Sequence, residues 1–237
     1  MEAITKQRLR FLAGFAVYFG VLWFLWNSPI IYPLKIFVVL LHEISHGLIA
    51  VATGGAIEKI VITTNEGGLC QCPGGSPFFT LSAGYLGSLL WGALILTAAR
   101  WRNPIPRIVA ALIGAIVIGV TLLYVRNGFG LLFGVTFGVV LIAVGSKLPV
   151  EVNKIVLTAL GLTSCLYAVL DIKSDILDRP EVMSDARMLA GLTGIPTLFW
   201  GVLWISAAIV FSVWLFRKAF QRAAGAKTAR REEVFQV

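Results

Sequence analysis

Of the 237 residues, 58% are hydrophobic and 14% charged, whereas a soluble domain is usually near half apolar and a quarter charged; this composition excludes an ordinary soluble domain and fits a polytopic membrane protein. The formal charge of +8 comes from Lys and Arg gathered mostly at the two ends and in short connections, where they would meet lipid headgroups. No array of basic and aromatic residues marks a nucleic-acid surface, so the expected partner is the lipid bilayer and not nucleic acid.

A spanning helix needs about 20 mainly apolar residues. Stretches at roughly 11–26, 30–52, 78–99, 107–125, 128–145, 151–171 and 196–216 come close to that length. The first follows the polar, basic segment Met1 to Arg10 and looks like the opening of a signal peptide. Trp26-Asn27-Ser28-Pro29 offers no small-residue cleavage site, so it reads as a retained span. The fourth and fifth are parted only by Arg126-Asn127 and form a tight hairpin. The expected fold is therefore an all-α membrane protein, a helical bundle of about six to seven spans, integral and multi-pass in the cell membrane. Residues 1–216 read as one integral-membrane domain, with its core in 30–99 plus 151–187, and 217–237 as a basic polar tail. Lys6, Arg8 and Arg10 draw the N-terminus to the cytoplasm, and Arg217, Lys218, Arg222, Lys227, Arg230 and Arg231 draw the tail there too. An odd number of spans cannot satisfy both ends.

The chain holds two histidines, and both lie in the second stretch, in His42-Glu43-Ile44-Ser45-His46. Positions i and i+4 share one helix face, so both imidazoles can point at one metal ion, and Glu43 can reach a water on that metal. This is the H-E-x-x-H pattern, a zinc site with its general base built in. It lies between the apolar runs Ile36 to Leu41 and Leu48 to Ala52. Ionisable residues inside a span are costly and mark a functional site by default.

The next segment is the least regular. Gly54-Gly55 ends the motif helix, as glycine often does. Ile60-Val61-Ile62-Thr63-Thr64 is a run of β-branched residues bounded by turns and reads as a strand. Asn65-Glu66-Gly67-Gly68 is a turn, and Leu69 to Cys72 returns as a second strand before Pro73-Gly74-Gly75-Ser76-Pro77. Such a membrane-associated β-hairpin offers an edge to which an extended peptide could add as a further strand. Cys70, Cys72 and Cys165 are too few for a disulfide framework, and a Cys-x-Cys pair is strained for an internal bridge. In the following span Gly84, Ser88 and Gly92 form a stripe that permits close helix approach.

Motif, hairpin and the helix carrying Ser82-Ala83-Gly84-Tyr85-Leu86-Gly87-Ser88 together resemble the site-2 protease family of intramembrane zinc metallopeptidases, closest to its compact, single-domain bacterial-type branch. The resemblance covers 30–99 well and 151–187 loosely; Gly84-Tyr85 stands where the family often has Gly-Pro. It implies one Zn2+ ion, a membrane-protein or peptide substrate, and hydrolysis of peptide bonds in or near transmembrane segments. His42 and His46 would be metal ligands and Glu43 the catalytic base. A catalytic zinc takes three protein ligands and an open position. The family supplies the third from an Asp in a Leu-Asp-Gly motif. Here Leu170-Asp171-Ile172 stands in that place, without the glycine or the Asn-x-x-Pro lead-in. His46 and Asp171 both lie toward the C-terminal ends of spans separated by an even number of crossings, so they face one side of the membrane. Asp171 is thus the leading third ligand, with Asp175 and Asp185 as alternatives. Cys70 and Cys72 are soft donors, for which a regulatory or structural role suits better. The alternative readings are a catalytically degenerate metal-binding membrane regulator, or a transporter with a polar helix in its core. Glu43 favours the enzyme, because a purely structural metal site needs no base.

Overall fold

A computed structural model describes residues 28–174, 176, 183–211 and 213–214, with isolated positions 13, 17, 20, 21, 24 and 25. Residues 33–208 form one compact unit, and the chain ends, 1–32 with 209–237, form another. Most of the expected first span, the tail 217–237 and Asp175 lie outside the described residues.

The elements in chain order are α1 (Tyr32–Ala52), β1 (Lys59–Ile62), β2 (Gly68–Gln71), α2 (Pro77–Ala99), α3 (Ile105–Tyr124), α4 (Gly128–Lys147), α5 (Val150–Lys173) and α6 (Asp185–Thr193), followed by α7 (Thr197–Phe211). Among the described residues α1 to α5 are long and apolar enough to cross a membrane, and the chain is an integral, multi-pass membrane protein. The expected last span, 196–216, is described as the shorter α7.

Helix α1 is apolar nearly all round, and such a helix belongs in an interior. Ile36, Phe37, Val38 and Ala50 are fully buried, and Phe37 stacks on Phe137 of α4 with ring centroids 5.0 Å apart. The outer helices keep apolar side chains on their surfaces, among them Ile108, Leu112, Leu132 and Val139. A surface of that kind suits lipid tails and not water. Backbone meets backbone where α2 crosses α5. A side chain at Gly92 would strike the Gly161 carbonyl, and Ser164 Oγ donates to the Ser88 carbonyl at 2.7 Å.

After α1 the chain turns at Gly54, whose φ of 93° favours glycine, and enters the antiparallel pair β1–β2. Lys59 faces Gln71, Ile60 faces Cys70, Val61 faces Leu69 and Ile62 faces Gly68. Ile60 and Ile62 are buried, which sets the inner face of the hairpin. The expected strand 60–64 stops at Ile62 because Thr63 already belongs to the turn. Its Oγ1 donates to the Gly67 carbonyl at 3.0 Å and accepts from the Gly67 N–H at 3.1 Å.

The α3–α4 connection closes one side of this small sheet. Val125 bridges Ile60 in parallel, and the Arg126 N–H donates to the Ile60 carbonyl at 3.0 Å. Asn127 clasps Ile62, donating from Nδ2 to its carbonyl at 2.7 Å and accepting its N–H on Oδ1 at 3.1 Å. The outer groups of β1 are therefore taken. Those of β2 alternate in the register so that Gly68 and Cys70 turn away from β1.

Candidate metal centre

His42 and His46 project from one face of α1 with ring centroids 4.7 Å apart. Facing them is Asp185, the first residue of α6, brought there by a helix start with a visible cause: Ser184 Oγ accepts the Arg187 N–H at 3.3 Å. Asp185 Oδ2 lies 3.0 Å from His42 Nε2 and 3.2 Å from His46 Nε2. One donor atom from each of the three residues lies within 4.8 Å of the others. Burial by itself would raise the pKa of the Asp185 carboxyl. The facing rings of His46 and His42, within hydrogen-bond distance of it, outweigh that burial and hold it below the usual carboxylate range.

The imidazoles are held from behind. His46 Nδ1 lies 2.7 Å from the Thr80 carbonyl oxygen, which can only accept, so Nδ1 carries a proton and Nε2 faces Asp185. His42 stands edge-on to Tyr85 at 4.9 Å, and Tyr85 in turn packs on Trp204 at 5.2 Å. Gly84 of α2 comes directly over both rings. A methyl group there would overlap His42 and approach His46 Nε2 to 2.6 Å. Between the two histidines, Ser45 is tied down, donating to the Leu41 carbonyl at 2.7 Å and accepting from Trp91 Nε1 at 3.1 Å.

Glu43, 5% exposed, lies beside the histidines against the hairpin. A side chain at Gly68 would collide with its carboxylate, and the Cys70 backbone is hydrogen-bonded to it. A cavity of about 640 Å³ opens over these groups; the histidines, Glu43, Gly68 and Asp185 all line it. The outward edge of β2 is thus an edge of the cavity.

The sequence pattern and the structure agree on which face of α1 carries the two histidines and Glu43, and they part over the carboxylate. Asp171, expected at the histidines, lines the same cavity but is not among the clustered donors; Asp185 is. The reason is the placement of the elements: α5 ends at Lys173, and it is the start of α6 that meets the histidines of α1. A Ser-Asp pair opening a short helix carries a signal only for capping and for the helix dipole, and that ordinary reading hides its position. The Thr80 carbonyl has no side-chain signature at all, and Tyr85 stands where the resemblance led to a proline. Cys70 and Cys72 line the cavity but lie outside the donor cluster. They are joined as a disulfide with Cα atoms 5.5 Å apart. Cys165 is free and buried.

Two imidazole nitrogens and one carboxylate oxygen form a donor set suited to a catalytic zinc, which keeps its fourth position open. The space that a Cβ at Gly84 would fill lies directly beside both Nε2 atoms, and the proton on His46 Nδ1 leaves Nε2 for the metal. The residues present therefore fit the ion. A family model described as Peptidase M50B-like matches residues 15–215. No curated protein and no solved structure matches the chain.

Proposed function

We propose, proceeding from the fact that the chain belongs to the Peptidase M50B-like family, that it is a zinc endopeptidase that cuts peptide bonds in or near the transmembrane segments of membrane-protein substrates. At family level the chain is an intramembrane metallopeptidase. The observation that carries the finer reading is the meeting of His42, His46 and Asp185 beside Glu43, in a cavity bordered by an open strand edge.

His42 Nε2, His46 Nε2 and Asp185 Oδ2 would hold the ion. Bound there, zinc supplies a Lewis acid that polarises a carbonyl and makes water nucleophilic near neutral pH. Glu43 accepts the proton of the attacking water on its carboxylate and later delivers it to the leaving amine. The proton on His46 Nδ1, held by Thr80, keeps that ring in one orientation through the cycle. A substrate helix hides its carbonyls in its own hydrogen bonds, so the cut segment has to unwind locally. The outward groups of Gly68 and Cys70 on β2 can receive it as an added strand, whereas those of β1 are already taken by Val125 to Asn127. The Cys70 amide that now bonds Glu43 would be drawn into that pairing, freeing the carboxylate as substrate enters.

The test is proteolysis of a membrane-anchored reporter by the purified chain in lipid, with the products mapped by mass spectrometry. Cleavage within or beside the reporter's span, lost on chelation and regained with zinc, is the expected result. Intact reporter with the zinc-loaded chain would rule the reading out.

A further inference from the structure

We propose that Lys35 is a positioning residue: through Glu66 it latches the β1–β2 hairpin over the metal centre, and so sets how firmly an extended substrate is held. Lys35 lies in a spanning helix and is 3% exposed, with Nζ 2.6 Å from Glu66 Oε1. An unpaired charge at such a place is costly, and an apolar side chain would serve the bundle alone at least as well. Lys35 precedes His42 by about two turns and so shares its face of the helix. Its partner is at the tip of the hairpin, where Glu66 takes φ of 64°, a left-handed conformation unusual for a residue with a side chain. The Glu66 carbonyl also accepts from Tyr167 of α5 at 3.5 Å.

From that tip, β2 runs back along α1, where Gly68 presses on the Glu43 carboxylate and the Cys70 backbone is hydrogen-bonded to it. The Lys35–Glu66 pair holds the end of this contact nearest the turn. Asn65, Glu66 and Gly67 line the same cavity as His42 and Glu43. A loosened tip would let the β2 edge swing away from the cavity without disturbing the zinc ligands, which come from α1 and α6.

The latch itself is read from geometry, and its effect on substrate rests on the proteolytic reading above. The experiment therefore measures both, on the full chain in lipid nanodiscs, for Lys35→Met, Glu66→Gln and the charge exchange Lys35→Glu/Glu66→Lys. In both single variants the hairpin amides should exchange hydrogen at least about tenfold faster while those of α1 keep their protection. Zinc content should stay at the wild-type level. KM for a membrane-anchored reporter should rise about five- to tenfold with kcat little changed, and the charge exchange should recover much of the loss. Unchanged hairpin exchange in Glu66→Gln, whose side chain is 31% exposed and whose loss is the milder change, overturns the latch even if Lys35→Met fails to fold. Faster exchange with KM unaltered overturns the positioning role. If no variant and no wild type cleaves the reporter, the exchange result still decides the latch, and only the proteolytic reading falls.

Discussion

At Asp185 a single carboxylate oxygen faces two imidazole nitrogens, so its removal should cost the centre a ligand and leave the surrounding helices standing. Asp185→Ala should lose zinc more severely than the roughly 10–100-fold loss of affinity typical of outer-shell changes. Asp171→Asn, altering a residue that borders the cavity without joining the donor cluster, should keep zinc at the wild-type level. Metal analysis of the two purified variants distinguishes them, and the opposite pattern would return the third ligand to α5. Gly84 gives a second residue-scale prediction. Gly84→Ala places a methyl group on His42 and His46, and should cost about 1–3 kcal/mol in overpacking together with much of the zinc affinity. Thermal unfolding and zinc content check it; a variant that binds zinc as the wild type does would show that the rings have room to move. The two histidines and Glu43 were legible in the sequence because helical periodicity alone places i and i+4 together. Asp185 was legible only as an alternative to Asp171, because its place beside the histidines depends on how the start of α6 meets α1, and nothing local to Ser184-Asp185 records that meeting.

The hairpin is the element that turns a metal centre into a site for an extended chain. Its strands were legible from the β-branched run at Ile60 to Thr64 and the glycines that follow. Which edge stays open was not, since the clasp on β1 comes from Asn127, 65 residues from Ile62 in sequence. Asn127→Ala would leave the Ile62 N–H and C=O unpaired at a buried strand, at a cost of about 1–3 kcal/mol. Hydrogen exchange should then quicken at Ile60 to Ile62, and reporter cleavage should weaken as β1 gains a second open edge. Unaltered exchange there would mean that the sheet does not lean on the α3–α4 connection.

For the molecule as a whole, the span pattern was readable because bilayer thickness dictates the length of an apolar run, and α1 to α5 follow it closely. The bundle is held by helix contacts such as Gly92 on Gly161 and Phe37 on Phe137, none of which involves the metal ligands. Chelation should therefore abolish cleavage with no loss of helical circular dichroism, unlike small zinc domains that unfold without their metal. Loss of helicity on chelation would show that the metal also holds the fold. The account as a whole turns on Glu43 acting as a base beside zinc. Its most direct test is zinc stoichiometry and cleavage of a membrane-anchored reporter, measured together for the wild type and Glu43→Gln. The account predicts one zinc per chain in both proteins and cleavage in the wild type alone; a Glu43→Gln variant that cleaves at the wild-type rate, or a wild type that binds no zinc, would contradict it.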